Sequence, residues 1–271
     1  MYIIRADGNT AIGMGHVMRC LSIADAMKER NIEPVFMTAD NGCVSMIEDR
    51  GFEVYVLGTD YRDMESELPL IRNYLETQNK GAKQIPAILV DSHQVTSRYY
   101  EELRKLAKVA CLEDMGQSYP VDLLVNYNIY GPKLVYDNKI TYATLLGTGY
   151  QPLRREFQQD IQYDIKDKIT DVMITTGGSD PYFAARAFTD TFLFEKELEK
   201  SQIRYHIISG PFNMHAEELH KLYDENPRVE IHEHVTCMKE IMKQCDVVLS
   251  ATGSTIYEVS ALGVPLIAFY F

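Results

Sequence analysis

The sequence has 271 residues, 46% hydrophobic and 24% charged, a balance that excludes a disordered chain, a collagen-like repeat and a coiled-coil rod. Its 27 Lys and Arg against 39 Asp and Glu leave a net charge of -12, whose field repels a polyanion, so no nucleic-acid partner is expected. No run approaches the roughly 18 uninterrupted apolar residues of a membrane span.

At roughly 150 residues per domain the length predicts two domains. Met1-Tyr2-Ile3-Ile4-Arg5-Ala6-Asp7 reads as a strand and lacks the basic, apolar and cleavage regions of a signal peptide. Further strands are expected at Pro34–Thr38, Glu53–Leu57, Ala87–Asp91 and Val109–Glu113, with weaker ones at Leu123–Asn126 and Thr141–Leu146. Helical patterns lie between them at His16–Arg30, Val44–Arg50, Asp63–Gln78 and Ser97–Leu106. In the first, Val17, Leu21, Ala24 and Met27 keep the helical apolar period. The second half repeats the theme, with strands at Asp171–Thr175, Tyr205–Ser209, Val229–His232, Asp246–Ser250 and Pro265–Tyr270. Its helices are a segment ending near Phe194, then His215–Asp224, Met238–Gln244 and Ser254–Leu262. Strands alternating with helices predict parallel βαβ units in doubly wound sheets. The polar segment Gln158–Lys168 separates the halves, giving domains 1–157 and 158–271, with the cleft between the sheets as the expected site.

The cysteines, Cys20, Cys43, Cys111, Cys237 and Cys245, are odd in number and show no C-x-x-C spacing. They are expected to be packing residues in a reducing cytoplasm.

Three glycine-rich turns stand at strand ends. Gly8, Gly13 and Gly15 link the first strand to the first helix, where free N–H groups favour an anion or polar ligand. The spacing is neither G-x-G-x-x-G nor a P-loop. His16 sits at the mouth of that helix, and a neutral imidazole there serves as a general base or, alternatively, caps the loop. Asp7 either orients that imidazole or a sugar hydroxyl, or ties the loop. In the second half, Gly177-Gly178-Ser179-Asp180 and Gly253-Ser254-Thr255 each precede a helix. Their amides and hydroxyls suit a diphosphate without a lysine, and Glu258 lies one turn on, placed to accept both hydroxyls of a ribose or to act in an ordinary helix cap.

Arg5-Ala6-Asp7-Gly8-Asn9, Ile12-Gly13-Met14-Gly15-His16 and Met18-Arg19-Cys20 resemble the opening of the UDP-sugar hydrolases of pseudaminic acid biosynthesis and the related spore-coat polysaccharide proteins. The resemblance continues through Leu146-Gly147, Tyr150, Leu153-Arg154 and Glu156-Phe157, then Gly177 to Asp180, Ser250 to Glu258 and Gly263-Val264-Pro265, so it covers nearly the whole chain. It implies a GT-B fold of the MurG type, with two Rossmann-like doubly wound α/β domains and a cleft between them. It implies release of UDP from a UDP-linked 2,4-diacetamido-2,4,6-trideoxy hexose by water, with His16 as base. A glycosyltransferase and a non-catalytic nucleotide-sugar binder on the same fold are the alternatives.

With the residue reading, the resemblance places Asp7, Gly13, Gly15, Arg19, Asp91, His93 and Asn126 on the sugar side. It places Gly177, Gly178, Ser179, Gly253, Ser254, Thr255 and Glu258 on UDP. No cofactor or metal is expected, since the chain has no D-x-D motif, and a monomer is favoured. Asp91-Ser92-His93 departs from the Asp-x-Tyr that the family commonly carries, which bears on the sugar. A GT-B domain normally continues past a strand such as Pro265–Tyr270 with an Asn-Gln loop and further helices, so the second domain is expected to lack that part. Glu113-Asp114 reads as a loop tether with Asp114 facing the site, and Asn126 and Asn128 as sugar-contacting amides. His232 and His234 share a strand segment near His215 and His220, but the latter two are five apart and diverge on a helix.

Overall fold

The computed structural model describes residues 1–78, 86–158, 163–196 and 201–270. It divides into two compact units, Met1–Pro152 and Leu153–Phe271. Within the polar segment expected at the boundary, residues 159–162 lie outside the described residues, while Phe157 packs in the core of the second unit.

The first unit runs β1 (Tyr2–Ala6), α1 (Gly15–Lys28), β2 (Val35–Thr38), α2 (Val44–Asp49), β3 (Glu53–Val56), α3 (Leu68–Gln78), β4 (Ala87–Asp91), α4 (Ser97–Arg104), β5 (Lys108–Leu112), β6 (Leu123–Asn126) and β7 (Thr144–Leu146). Its strands form one sheet in the order β3-β2-β1-β4-β5-β6-β7. The second unit runs β8 (Asp171–Thr175), α5 (Ala184–Phe194), β9 (Arg204–Ile208), α6 (Ala216–Tyr223), β10 (Val229–His232), α7 (Met238–Gln244), β11 (Val247–Ala251), α8 (Thr255–Leu262) and β12 (Leu266–Phe269), with sheet order β10-β9-β8-β11-β12. Every pairing between these strands is parallel. Helices on both faces bury such strands, which explains near-continuous apolar runs such as Ile3-Ile4 and Ile88-Leu89-Val90.

Two elements differ from expectation. The segment Asp63–Gln78 is a 3-10 turn, Met64–Glu67, followed by α3. Pro69 lacks the N–H that a continuous helix would bond four residues back, so the helix restarts there. The expected strand Thr141–Leu146 shortens to β7, because Thr141 Oγ1 donates to the Tyr119 carbonyl at 2.8 Å and belongs to that loop.

The central strand β1 carries a fully buried Arg5. Burial opposes its charge, but Glu67 accepts Nε at 2.9 Å and Nη2 at 2.7 Å, and Asp7 Oδ2 lies 2.7 Å from Nη1. Tyr99 OH donates to the same Glu67 at 2.6 Å, joining β1, the 3-10 turn and α4. In the second unit α5 and α6 cover one sheet face around Ile174, Tyr205 and Ile207, while α7 and α8 cover the other around Met173, Val248 and Val259. All five cysteines are free, as their spacing predicts, and four are buried. No helix among the described residues is long and apolar enough to cross a membrane.

Candidate functional site

In an open parallel sheet, functional groups collect beyond the carboxyl ends of the strands. The order of the first sheet sets the ends of β1, β4, β5 and β6 side by side. Side chains distant in sequence therefore converge: His16 and Arg19 from the start of α1, Asp91 from the end of β4, His93 just beyond it, Asp114 after β5 and Tyr127 after β6.

Residues three apart on a helix share a face, so His16 and Arg19 both reach Asp91. His16 Nδ1 lies 2.7 Å from Asp91 Oδ1. Arg19 grips the same carboxylate as a fork, with Nε donating to Oδ2 at 2.5 Å and Nη2 donating to Oδ1. Its Nη1 donates to Asp114 Oδ2 at 3.1 Å and to Tyr127 OH at 2.7 Å. His93 Nε2 meets Asp114 Oδ1 at 2.8 Å, and the His16 and His93 rings stand edge to face with centroids 4.7 Å apart.

The charges follow from these contacts. Burial disfavours the Asp91 anion, but the Arg19 guanidinium and His16 outweigh it and hold the carboxyl well below its usual range. Burial likewise opposes the Asp114 anion, and the hydrogen bond with His93 and the charge of Arg19 overcome it. The hydrogen bond to Asp114 raises the His93 imidazole above its ordinary value. An ionised carboxylate only accepts hydrogen bonds, so His16 Nδ1 carries the proton toward Asp91. In the neutral ring, Nε2 then holds the lone pair.

The loop before α1 is tightly made. Asn9 Oδ1 accepts the amides of Ala11 and Ile12 at 2.9 and 3.1 Å, and its carbonyl accepts Gly13 N–H at 2.8 Å. Gly13 has φ +71°, the left-handed region that favours glycine. A Cβ on Gly15 would meet nothing within 4 Å, so the backbone there is open.

Asp7 and Asn126 are engaged within the protein. Asp7 Oδ1 accepts Ala39 N–H at 2.7 Å and its other oxygen pairs with Arg5, so Asp7 ties the loop while Asp91 holds the imidazole. Asn126 donates to Tyr136 OH at 2.8 Å and accepts from the amide of Asn128 at 3.0 Å. Glu113 is a tether as expected, accepting the amides of Met115 and Gln117 at 2.6 and 3.0 Å. Tyr127 is one of 18 tyrosines, and its residue type alone does not mark it. Its place at the end of β6, in line with the ends of β4 and β5, was the available signal.

In the second unit the two glycine turns differ. After β8, Gly177 takes φ +89°, and the turn presses on Gly210, where a Cβ would sit 2.4 Å from the Gly177 oxygen. Asp180 accepts Ala184 N–H at 2.8 Å and Ala185 N–H at 3.1 Å, so its carboxylate already occupies the start of α5 beside Ser179. After β11, Gly253 and Ser254 lead into α8, and the Ser254 side chain makes no capping bond to its amides. A Cβ on Gly253 would meet nothing within 4 Å. Glu258 accepts Arg154 Nε at 2.6 Å and Nη2 at 2.8 Å, which leaves further lone pairs on both oxygens. Arg154 also pairs with Glu156 at 3.0 Å, and Glu156 accepts from the Cys237 thiol at 3.0 Å.

Residues 172–271 match the glycosyltransferase family 28 C-terminal domain. An uncharacterised protein of Methanocaldococcus jannaschii is 25% identical over 98% of this chain and 55% of its own length. Spore coat polysaccharide biosynthesis protein SpsG of Bacillus subtilis is 25% identical over 97% of this chain and 75% of its own. The pseudaminic acid cytidylyltransferase and UDP-2,4-diacetamido-2,4,6-trideoxy-beta-L-altropyranose hydrolase of Helicobacter pylori is 23% identical over 93% of this chain and 41% of its own. The chain thus spans about half the length of the first of these relatives. Acinetobacter baumannii MurG shares the fold, with a TM-score of 0.63 at 13% identity, covering 100% of this chain and 78% of MurG. The chain is thus similar over most of its length to a spore-coat polysaccharide protein and to a UDP-altropyranose hydrolase, and its two parallel sheets share the GT-B fold of MurG.

Proposed function

We propose that this chain processes a nucleotide sugar in surface-polysaccharide biosynthesis, releasing UDP from a UDP-linked diacetamido-trideoxy hexose by attack of water at the anomeric carbon. The observation that carries this is His16, whose Nδ1 is fixed on the ionised Asp91 so that Nε2 offers a lone pair. Nε2 takes a proton from water as the water oxygen bonds to the anomeric carbon. The bond from that carbon to the phosphate oxygen breaks, and its electron pair leaves with UDP. Arg19 is a positioning residue, since its guanidinium is spent on Asp91, Asp114 and Tyr127. His93, Gly13 and Gly15 contact the sugar. The start of α8, with Gly253, Ser254 and Thr255, holds the diphosphate, and Glu258 accepts the ribose hydroxyls. Gly177, Gly178 and Ser179 line the nucleotide more loosely, because Asp180 already fills the start of α5.

The match of residues 172–271 to a glycosyltransferase domain favours a second reading, in which an acceptor hydroxyl replaces water. One assay separates the two. UDP release from the UDP-linked sugar is followed with and without candidate acceptors. Hydrolysis gives UDP and free sugar with water alone, whereas transfer depends on the acceptor. His16→Asn is expected to lower the rate by about 10²–10⁴-fold while UDP binding persists. Undiminished turnover in that variant removes His16 from the mechanism.

A further inference from the structure

The second sheet carries a cluster that the sugar-nucleotide chemistry does not use. In parallel register Glu230 of β10 pairs with His206 of β9, and His232 lies two residues on, so all three side chains stand on one face. The sequence grouped His232 with His215 and His220; the fold pairs it with His206 instead. His206 Nδ1 lies 3.1 Å from His232 Nε2 and 3.6 Å from Glu230 Oε2. His232 Nε2 lies 3.7 Å from Glu230 Oε1. A tetrahedral zinc with bonds of about 2.0–2.2 Å sets neighbouring ligand atoms about 3.3–3.6 Å apart. The two imidazole nitrogens lie just under that spacing, each has one Glu230 oxygen at or just above it, and one donor atom from each residue lies within 4.8 Å of the others.

A second feature points the same way. His206 is buried, and its other nitrogen, Nε2, donates to Asp171 Oδ1 at 2.9 Å. That bond leaves the lone pair on Nδ1, directed at His232 and Glu230. A carboxylate behind a ligating imidazole is the arrangement that fixes tautomer and ring orientation in zinc sites. Asp171 is itself held by Arg204 Nη2 at 2.7 Å and Thr170 Oγ1 at 2.8 Å. Glu230 is 63% exposed, so the cluster opens to solvent on that side.

We propose that His206, His232 and Glu230 bind one divalent transition-metal ion of the zinc class, with Asp171 orienting His206 and water in the fourth position. The ion clamps β10, an edge strand, to β9. Two nitrogen donors and one oxygen donor select zinc or cobalt over calcium or magnesium, which take oxygen ligands.

The test uses the full chain freed of metal with a chelator, then titrated with zinc chloride by calorimetry and with cobalt chloride by visible absorption. One equivalent of zinc is expected to bind, cobalt is expected to give the intense bands of a four-coordinate site, and magnesium is expected to do neither. His206 is buried, so the variants are His232→Gln and Glu230→Gln, each checked for native circular dichroism. His232→Gln is expected to abolish the cobalt bands. Glu230→Gln is expected to weaken zinc at least about tenfold, and Asp171→Asn to weaken it roughly 10–100-fold while all three ligands remain. Absence of stoichiometric binding, or binding unchanged in His232→Gln, overturns the proposal.

Discussion

The two units treat the ends of their strands in opposite ways. In the first, the ends of β4, β5 and β6 carry a mesh of charged and polar side chains, with Asp91 and Arg19 buried and bonded to His16, Asp114 and Tyr127. In the second, the end of β11 carries the small residues Gly253 and Ser254, and Ser254 makes no side-chain cap to α8. Within the second unit the Asp180 carboxylate accepts the first amides of α5, whereas Ser254 at the head of α8 makes no side-chain cap. Under the proposed function, side-chain chemistry falls where many contacts hold each group in place, and backbone chemistry falls where little crowds the chain. The first kind of site is costly to alter and the second is tolerant.

Four substitutions break or sharpen that contrast. Asp91→Asn is the harshest, because it leaves the buried Arg19 charge short of its main partner, at a cost of about 3–5 kcal/mol in urea unfolding. It also changes the pH response. Asp91 has a folded-state value below its unfolded one, so its stabilisation is complete above the ordinary carboxylate pKa of about 3.9 and is lost as pH falls toward the folded value. Stability of Asp91→Asn measured from pH 6 downward is expected to fall less steeply than that of the parent chain. Equal slopes would mean that the mesh contributes little.

Glu258→Gln comes next. It weakens the paired contact with Arg154, which keeps Glu156, so about 1–2 kcal/mol is expected in unfolding of the second unit. UDP affinity measured by calorimetry is expected to drop roughly tenfold, about 1.4 kcal/mol. Gly253→Ala tests tolerance directly. A Cβ there meets nothing, so stability is expected to stay within about 1 kcal/mol. UDP binding is nonetheless expected to weaken, because the methyl group would stand where the proposed function brings the diphosphate to the backbone. Unchanged UDP affinity would move the anion away from α8. His93→Gln is the mildest: His93 is half-exposed, and only a few-fold change in kcat/KM is expected. A limb of the pH–rate profile set by His93 lies above the ordinary histidine range in the parent chain, because the bond to Asp114 raises the imidazole, and is expected to be absent from the variant.

The sequence made the backbone features easy to find and the side-chain mesh hard. The Gly177 turn and the α8 start were legible because glycine and serine at a strand end mark where a helix begins, whether they cap it or serve a ligand. His16 was legible for the same reason, by its place after a glycine loop. The partners of His16 and Arg19 were not, because Asp91 and Asp114 lie 75 and 95 residues away along the chain in those contacts. Only the sheet order brings them together, and strand order is a tertiary property that no local pattern states. Asp7 shows the converse, since a carboxylate close in sequence to His16 points instead to Ala39 and Arg5. Pro69 shows how one residue without an N–H splits a helix that apolar spacing alone would run straight through.

The buried Arg5 has a consequence for recombination between relatives. Its charge depends on Glu67, which also serves Tyr99, and its remaining nitrogen faces Asp7. A hybrid whose residues 64–99 come from a parent without Glu67 leaves a buried ion without its counter-ion, at a penalty of about 3–5 kcal/mol. Viable crossovers in the first unit therefore fall outside residues 5–99, or else carry Arg5, Asp7, Glu67 and Tyr99 as one inherited block.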